Sequence, residues 1–184
     1  MGINGYQITA EGGTGFFQDQ DGGSYNYAGR YVADVTHRNW DIICASSSTN
    51  DSEASEAEIN TSVDAFYDLV KANHPNSIIL IVGTPRSVSQ RGGEGTGYIL
   101  AETRTLARFE SKNDPLVITI PTLTDVNPPV FGTGKISAPT GDGNADFYVS
   151  DGLHYGDAGH LYHGSWLARK VTAAFRAKII ELSN

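Results

Sequence analysis

Apolar positions along this chain follow two rhythms, and their alternation predicts the architecture. Residues 40–45 and 77–82 carry nearly unbroken apolar runs, ending in Asp-Ile-Ile-Cys-Ala and Ile-Ile-Leu-Ile-Val. Runs of that kind mark strands buried on both faces. Residues 6–10 and 116–120 are read as two further strands, the second closed by Pro121. Between them the spacing becomes helical. Ala28, Tyr31, Val32 and Val35 predict a helix over 25–35. Ile59, Val63, Phe66 and Val70 form one stripe behind the capping-box sequence Ser55-Glu56-Ala57-Glu58, and His74-Pro75 stops that helix. Residues 98–109 are expected to be helical with Ile99, Leu106 and Phe109 inward. Residues 157–182 are expected to form a last helix with a stripe of Leu161, Ala168, Val171, Phe175, Ile179 and Leu182. A Gly/Pro-rich stretch, 122–146, separates the last strand from that helix.

Strand–helix alternation with buried strands predicts an α/β fold, a parallel sheet covered by helices on each side. In such sheets ligands sit at the carboxyl ends of the strands. The polar clusters of this chain fall just after its apolar runs, where that rule puts a site.

Composition narrows the class. With 184 residues, 39% hydrophobic and 18% charged, the chain is long enough for one domain with its own core. Its formal net charge is −8. No basic run offsets that charge, which argues against nucleic acid as a partner. No apolar run approaches the ~20 residues needed to span a bilayer, so no membrane partner is expected, and the sequence gives no address. Cys44, the one cysteine, excludes an internal disulfide and is expected as a small core residue.

Three clusters carry candidate chemistry: Gly12-Gly13-Thr14-Gly15, Ser46-Ser47-Ser48-Thr49-Asn50-Asp51, and Asp151-Gly152-Leu153-His154 running on to Gly159-His160. A carboxylate three residues before a histidine can fix the imidazole tautomer and stabilise the imidazolium formed when its other nitrogen takes a proton. His160 and His163 are read as structural or surface residues. No carboxylate-rich set completes a metal site with His154, and no cofactor is expected. The glycine cluster fits no phosphate-binding loop, since its spacing is wrong and no Lys follows.

Together, in this order, the clusters resemble the blocks of the SGNH hydrolases, a branch of the GDSL-like esterases and lipases. The resemblance runs from Tyr6 to the last helix. It implies a flavodoxin-like three-layer α/β/α fold and a serine esterase mechanism. On it, Asp151 and His154 match the triad acid and base. Asn50 matches the side-chain oxyanion donor, with Ser48 where the family has glycine, and Gly13 matches the backbone donor. The implied substrate is an acyl ester, small-molecule or carbohydrate O-acetyl. Tyr148, Tyr155 and Trp166 offer sugar-stacking faces, although packing is the expected role for each.

The family's Gly-Asp-Ser block is absent. The Gly-Asp pairs here, at 141–142 and 156–157, are followed by Gly and Ala. Ser46, Ser47, Ser48 and Ser150 do not lie in a nucleophile elbow. In the family the missing strand lies between those matched by residues 6–10 and 40–45. The isolated chain is therefore expected to be inactive. A separate polypeptide carrying the serine, a segment swapped from another copy or a rearranged strand of this chain is expected to fill the middle of the sheet. An empty gap would tell against that topology. The alternative is a non-catalytic carbohydrate-binding or structural module of a larger surface or phage tail assembly, with an extracellular or virion-associated setting.

Overall fold

The helix that opens at Ser55 shows how local chemistry sets the elements. In the computed structural model, which describes residues 5–19, 25–84, 96–125 and 154–182, Ser55 Oγ accepts from Glu58 N–H and the Glu58 carboxylate accepts from Ser55 N–H. Both orphan amides are satisfied, and α2 runs from Glu56–Asn73. Ile59, Val63, Phe66 and Val70 are buried along it, as their spacing requires. His74 ends it and is itself built in. Its Nε2–H donates to the Arg38 carbonyl, so Nδ1 accepts from the Tyr31 hydroxyl at 2.6 Å. Burial pushes the Tyr31 phenol up to about 12.

The other elements are α1 (Tyr27–Val35), β1 (Ile42–Ser46), β2 (Ile78–Val82), α3 (Thr96–Glu110), β3 (Val117–Ile120) and α4 (Asp157–Leu182). The strands form one parallel sheet in the order β1-β2-β3. On one face Ile43, Ile79 and Ile81 pack against Tyr31, Phe66, Leu106 and Phe109 from α1, α2 and α3. On the other, Leu80, Val82, Ile118 and Ile120 meet Trp166, Leu167, Val171 and Phe175 of α4. The result is a three-layer α/β/α arrangement, and no helix among the described residues is long and apolar enough to cross a membrane.

Four expectations are corrected. Residues 6–10 do not form a strand; Tyr6 and Ile8 are exposed, with no ladder partner among the described residues. β1 is not buried on both faces. Ile42 is 41% exposed and Cys44 is an exposed residue, because α4 covers β2 and β3 and leaves their side of β1 bare. Ile99 and Val32 point outward, since their helices turn Leu106 and Phe109, and Tyr31, to the core. On α4 the buried stripe is rotated: Trp166, Leu167 and Ala174 join Val171 and Phe175, leaving Leu161, Ala168 and Ile179 exposed.

Between residues 9–11 and β1 lies an open cleft of about 360 Å³ rather than a strand. Its floor is α1 and Phe66. The described residues thus place no rearranged strand in the gap, and the sheet they form has three strands. The edge tolerates this because Ile42 and Cys44 are exposed, so water can satisfy the backbone groups a strand would otherwise pair.

Candidate functional site at the carboxyl ends of the strands

Each strand ends in buried hydroxyls. Ser47, Ser48, Thr84 and Thr122 are all buried. Thr84 Oγ1 donates to Ser47 Oγ at 2.9 Å, Ser46 Oγ donates to the carbonyl of Gly83 at 3.2 Å, and Thr122 Oγ1 bonds the Thr84 carbonyl. The strand ends are laced into a rim, which fixes the loops that rise from it.

Two buried carboxylates anchor those loops. Glu102 of α3 accepts from the amides of Thr84, Thr122, Leu123 and Thr124. Asp51 accepts from the amides of Phe16, Phe17 and Gln18 at 2.9, 3.2 and 2.8 Å. Burial pushes the Asp51 carboxyl up, and those three amides pull it back. A glycine faces each clamp: a Cβ at Gly15 would collide with the Asp51 carboxylate, and one at Gly83 with that of Glu102. Phe16, held by Asp51, plugs the space between helices, edge-on to Tyr27, Phe66 and Phe109 at 4.8, 5.4 and 5.5 Å.

The glycine loop and the asparagine turn meet here. Thr14 Oγ1 closes the turn onto the Glu11 carbonyl, with Gly13 at a φ of 74° that favours glycine. The Thr14 carbonyl then accepts from both Asn50 Nδ2 at 3.0 Å and Ser48 Oγ at 2.9 Å. Ser48 also accepts from Asn50 N–H and caps the short 3₁₀ turn Thr49–Asp51. The Ser48 hydroxyl therefore joins the two loops. An amide carries two N–H donors, so Asn50 keeps one beyond the bond to Thr14.

Asp151 lies outside the described residues, as do Tyr148 and Ser150. His154 is exposed just before α4. His163 sits between Tyr155 and Trp166, with ring centroids at 5.5 and 5.9 Å, which fits a packing role; burial, then the nearby His160, lowers its pKa. Trp166 is buried against β2 and β3, a core residue rather than a sugar platform. Thus the structure joins Asn50 to the Gly13 loop, while of Asp151 and His154 only His154 lies among the described residues. Asp51 and Glu102 escaped the sequence reading. Asp51 was visible as the second half of Asn50-Asp51; nothing local marks Glu102, whose partners lie 18–22 residues away.

Cys44 lines the cleft beside this rim, and desolvation there pushes its thiol up to about 11.

No family model matches the chain, and no curated protein does. Three chains of solved structures match it. One, a crystal structure, is 16% identical over 88% of this chain and 76% of its own, with a TM-score of 0.65. At that identity the likeness shows the fold alone, and it agrees with the three-layer α/β/α arrangement.

Proposed function

We propose that this chain is the acid–base and oxyanion portion of an SGNH-type serine esterase whose nucleophilic serine comes from outside these residues. The observation that carries the reading is the bond from Asn50 Nδ2 to the Thr14 carbonyl, which sets an amide donor beside the Gly13 turn at the strands' carboxyl ends. A tetrahedral oxyanion takes a side-chain amide and a backbone N–H as donors, and such a donor contributes on the order of 3 kcal/mol to the barrier. In this reading the serine attacks the acyl carbon, His154 takes its proton and returns it to the leaving alcohol, and Asp151 holds the imidazole. A small or carbohydrate-borne acetyl ester suits the polar rim. When the serine-bearing strand is restored, p-nitrophenyl acetate turnover should appear, and His154→Ala should lower it by about ten-thousandfold. Turnover unchanged by that substitution removes His154 from the mechanism.

One observation favours a second reading, a non-catalytic carbohydrate-binding module. The hydroxyls of Ser46, Ser47 and Ser48 are engaged in the rim and loop bonds described above, so none is an activated nucleophile. Saturable sugar binding by the isolated chain, with no hydrolysis after restoration of the serine, would select it.

A further inference from the structure

The entry to α4 carries an aromatic contact that the triad chemistry does not use. The Gly156 carbonyl accepts from His160 N–H at 3.0 Å, which makes Gly156 the cap of the helix that begins at Asp157. Tyr155 is then the residue before the cap, and His160 is the fourth residue of the helix. A side chain at the first position packed on one at the second fixes the angle at which the chain enters a helix. Here the rings of Tyr155 and His160 meet edge-on, with centroids 5.7 Å apart and planes at 82°. Aromatic pairs favour that arrangement.

The contact continues beyond the first turn. His160, His163, Trp166 and Lys170 are spaced three or four residues apart, so they share one face of α4. Tyr155 also lies against His163 at 5.5 Å, and His163 stacks on Trp166 at 5.9 Å. Burial, then His160, favours the neutral form of His163, so it serves as an aromatic rung. Trp166 is buried in the cluster that includes Val82 and Ile120, the last residues of β2 and β3. Lys170 Nζ lies over the Trp166 ring at 5.3 Å and pairs with Asp125 at 2.6 Å. Asp125 follows Thr124, whose amide Glu102 holds. A continuous run of contacts thus leads from the carboxyl ends of the strands to the neighbour of His154.

We propose that Tyr155 is a positioning residue for His154: its ring, stapled to His160 and His163, holds the entry angle of α4 and so the imidazole one residue upstream. His154 is exposed. An exposed side chain hops between rotamers within nanoseconds, so its ring returns to one place only if the backbone beneath it is held. The staple stands on the ring contacts alone; that the imidazole it aims serves as a base rests on the esterase reading.

Three variants test the staple in the isolated chain, with amide relaxation at His154 as the readout. In Tyr155→Ala the His154 order parameter should fall from about 0.85 to below about 0.6. Tyr155→Phe keeps the ring and His160→Leu keeps an apolar partner, so both should hold the wild-type value. The Trp166 indole N–H shift should stay fixed in all three, showing that α4 remains docked. An unchanged order parameter in Tyr155→Ala overturns the proposal, as does a wild-type value already below about 0.6. An equal loss in Tyr155→Phe overturns it, and so does a loss accompanied by a shifted Trp166 indole, which would make Tyr155 a general support of the helix. With the serine-bearing strand restored, Tyr155→Ala should lower kcat on p-nitrophenyl acetate about tenfold at unchanged KM, and Tyr155→Phe should recover it. A loosened His154 with full kcat overturns the positioning role. A loosened His154 with no acetate released by any chain, wild type included, removes the esterase reading and leaves the staple standing.

Discussion

β1 and β2 begin alike in sequence, each with two isoleucines, yet they have opposite fates. Four of the five β2 residues are buried, whereas β1 buries Ile43 and exposes Ile42 and Cys44. The difference lies in the neighbours. Among the described residues, β2 has a strand on each side and helices on both faces, while β1 has one strand, one covered face and a cleft. An apolar run shows that a strand can be buried; whether it is buried depends on segments distant in sequence.

The largest expected effect lies where β2 is most tightly joined to its surroundings. Glu102→Ala would strand the buried amides of Thr84, Thr122, Leu123 and Thr124. It should cost on the order of 4 kcal/mol in urea unfolding, since orphaned buried donors pay their full desolvation. A loss below about 1 kcal/mol would show that water enters the rim and would blunt the contrast between a sealed β2 and an open β1.

A matched pair of truncations sharpens the same contrast. Ile81→Ala removes a side chain with 0% exposure and should cost about 3 kcal/mol, the transfer term plus a cavity. Ile42→Ala, at 41% exposure beside the cleft, should cost under about 1 kcal/mol in the isolated chain. Equal losses in the free chain would mean that β1 is covered in solution.

The fold was legible wherever a periodic pattern meets a nearby partner. The Ser55–Glu58 box, the Ile59–Val70 stripe and the His74 stop were all fixed by residues within one or two turns, and α4 spans the expected 157–182. Legibility failed where burial is decided at long range. The stripe on α4 is rotated because Trp166 is its deepest contact, and a tryptophan among histidines carries no periodic signature. Residues 6–10 read as a strand running into the glycine turn, but a strand exists only with a ladder partner, and among the described residues they have none. Within the site, Asn50 and Gly13 came from a motif likeness and meet through Thr14, a link that spacing alone does not reveal. Asp51 and Glu102 hold the loops through backbone amides, which no side-chain pattern encodes.

The smallest expected effect lies away from both strands. Asp64 on α2 is paired with Arg108 of α3, whose Nε donates to it at 2.7 Å, and with Lys112 Nζ at 2.6 Å. The hydrogen bond from Arg108 leads the causes that hold its carboxyl at about 2. Its folded value lies below the unfolded one, near 3.9. Its contribution is therefore present above about pH 4 and disappears as pH falls toward 2. The Asp64 side chain is 32% exposed, so screening limits the effect to about 0.2–1 kcal/mol. Asp64→Asn should lower stability at neutral pH by that amount, make no difference near pH 2, and lose its effect in molar salt. These charges join α2 to the end of α3, away from β1's open edge, so the loss should be unchanged in an Ile42→Ala background. A loss that altered in that background would mean that β1's edge is coupled to α2 through Phe66, the one α2 residue that lines the cleft, and the two strands' environments could then no longer be treated as independent.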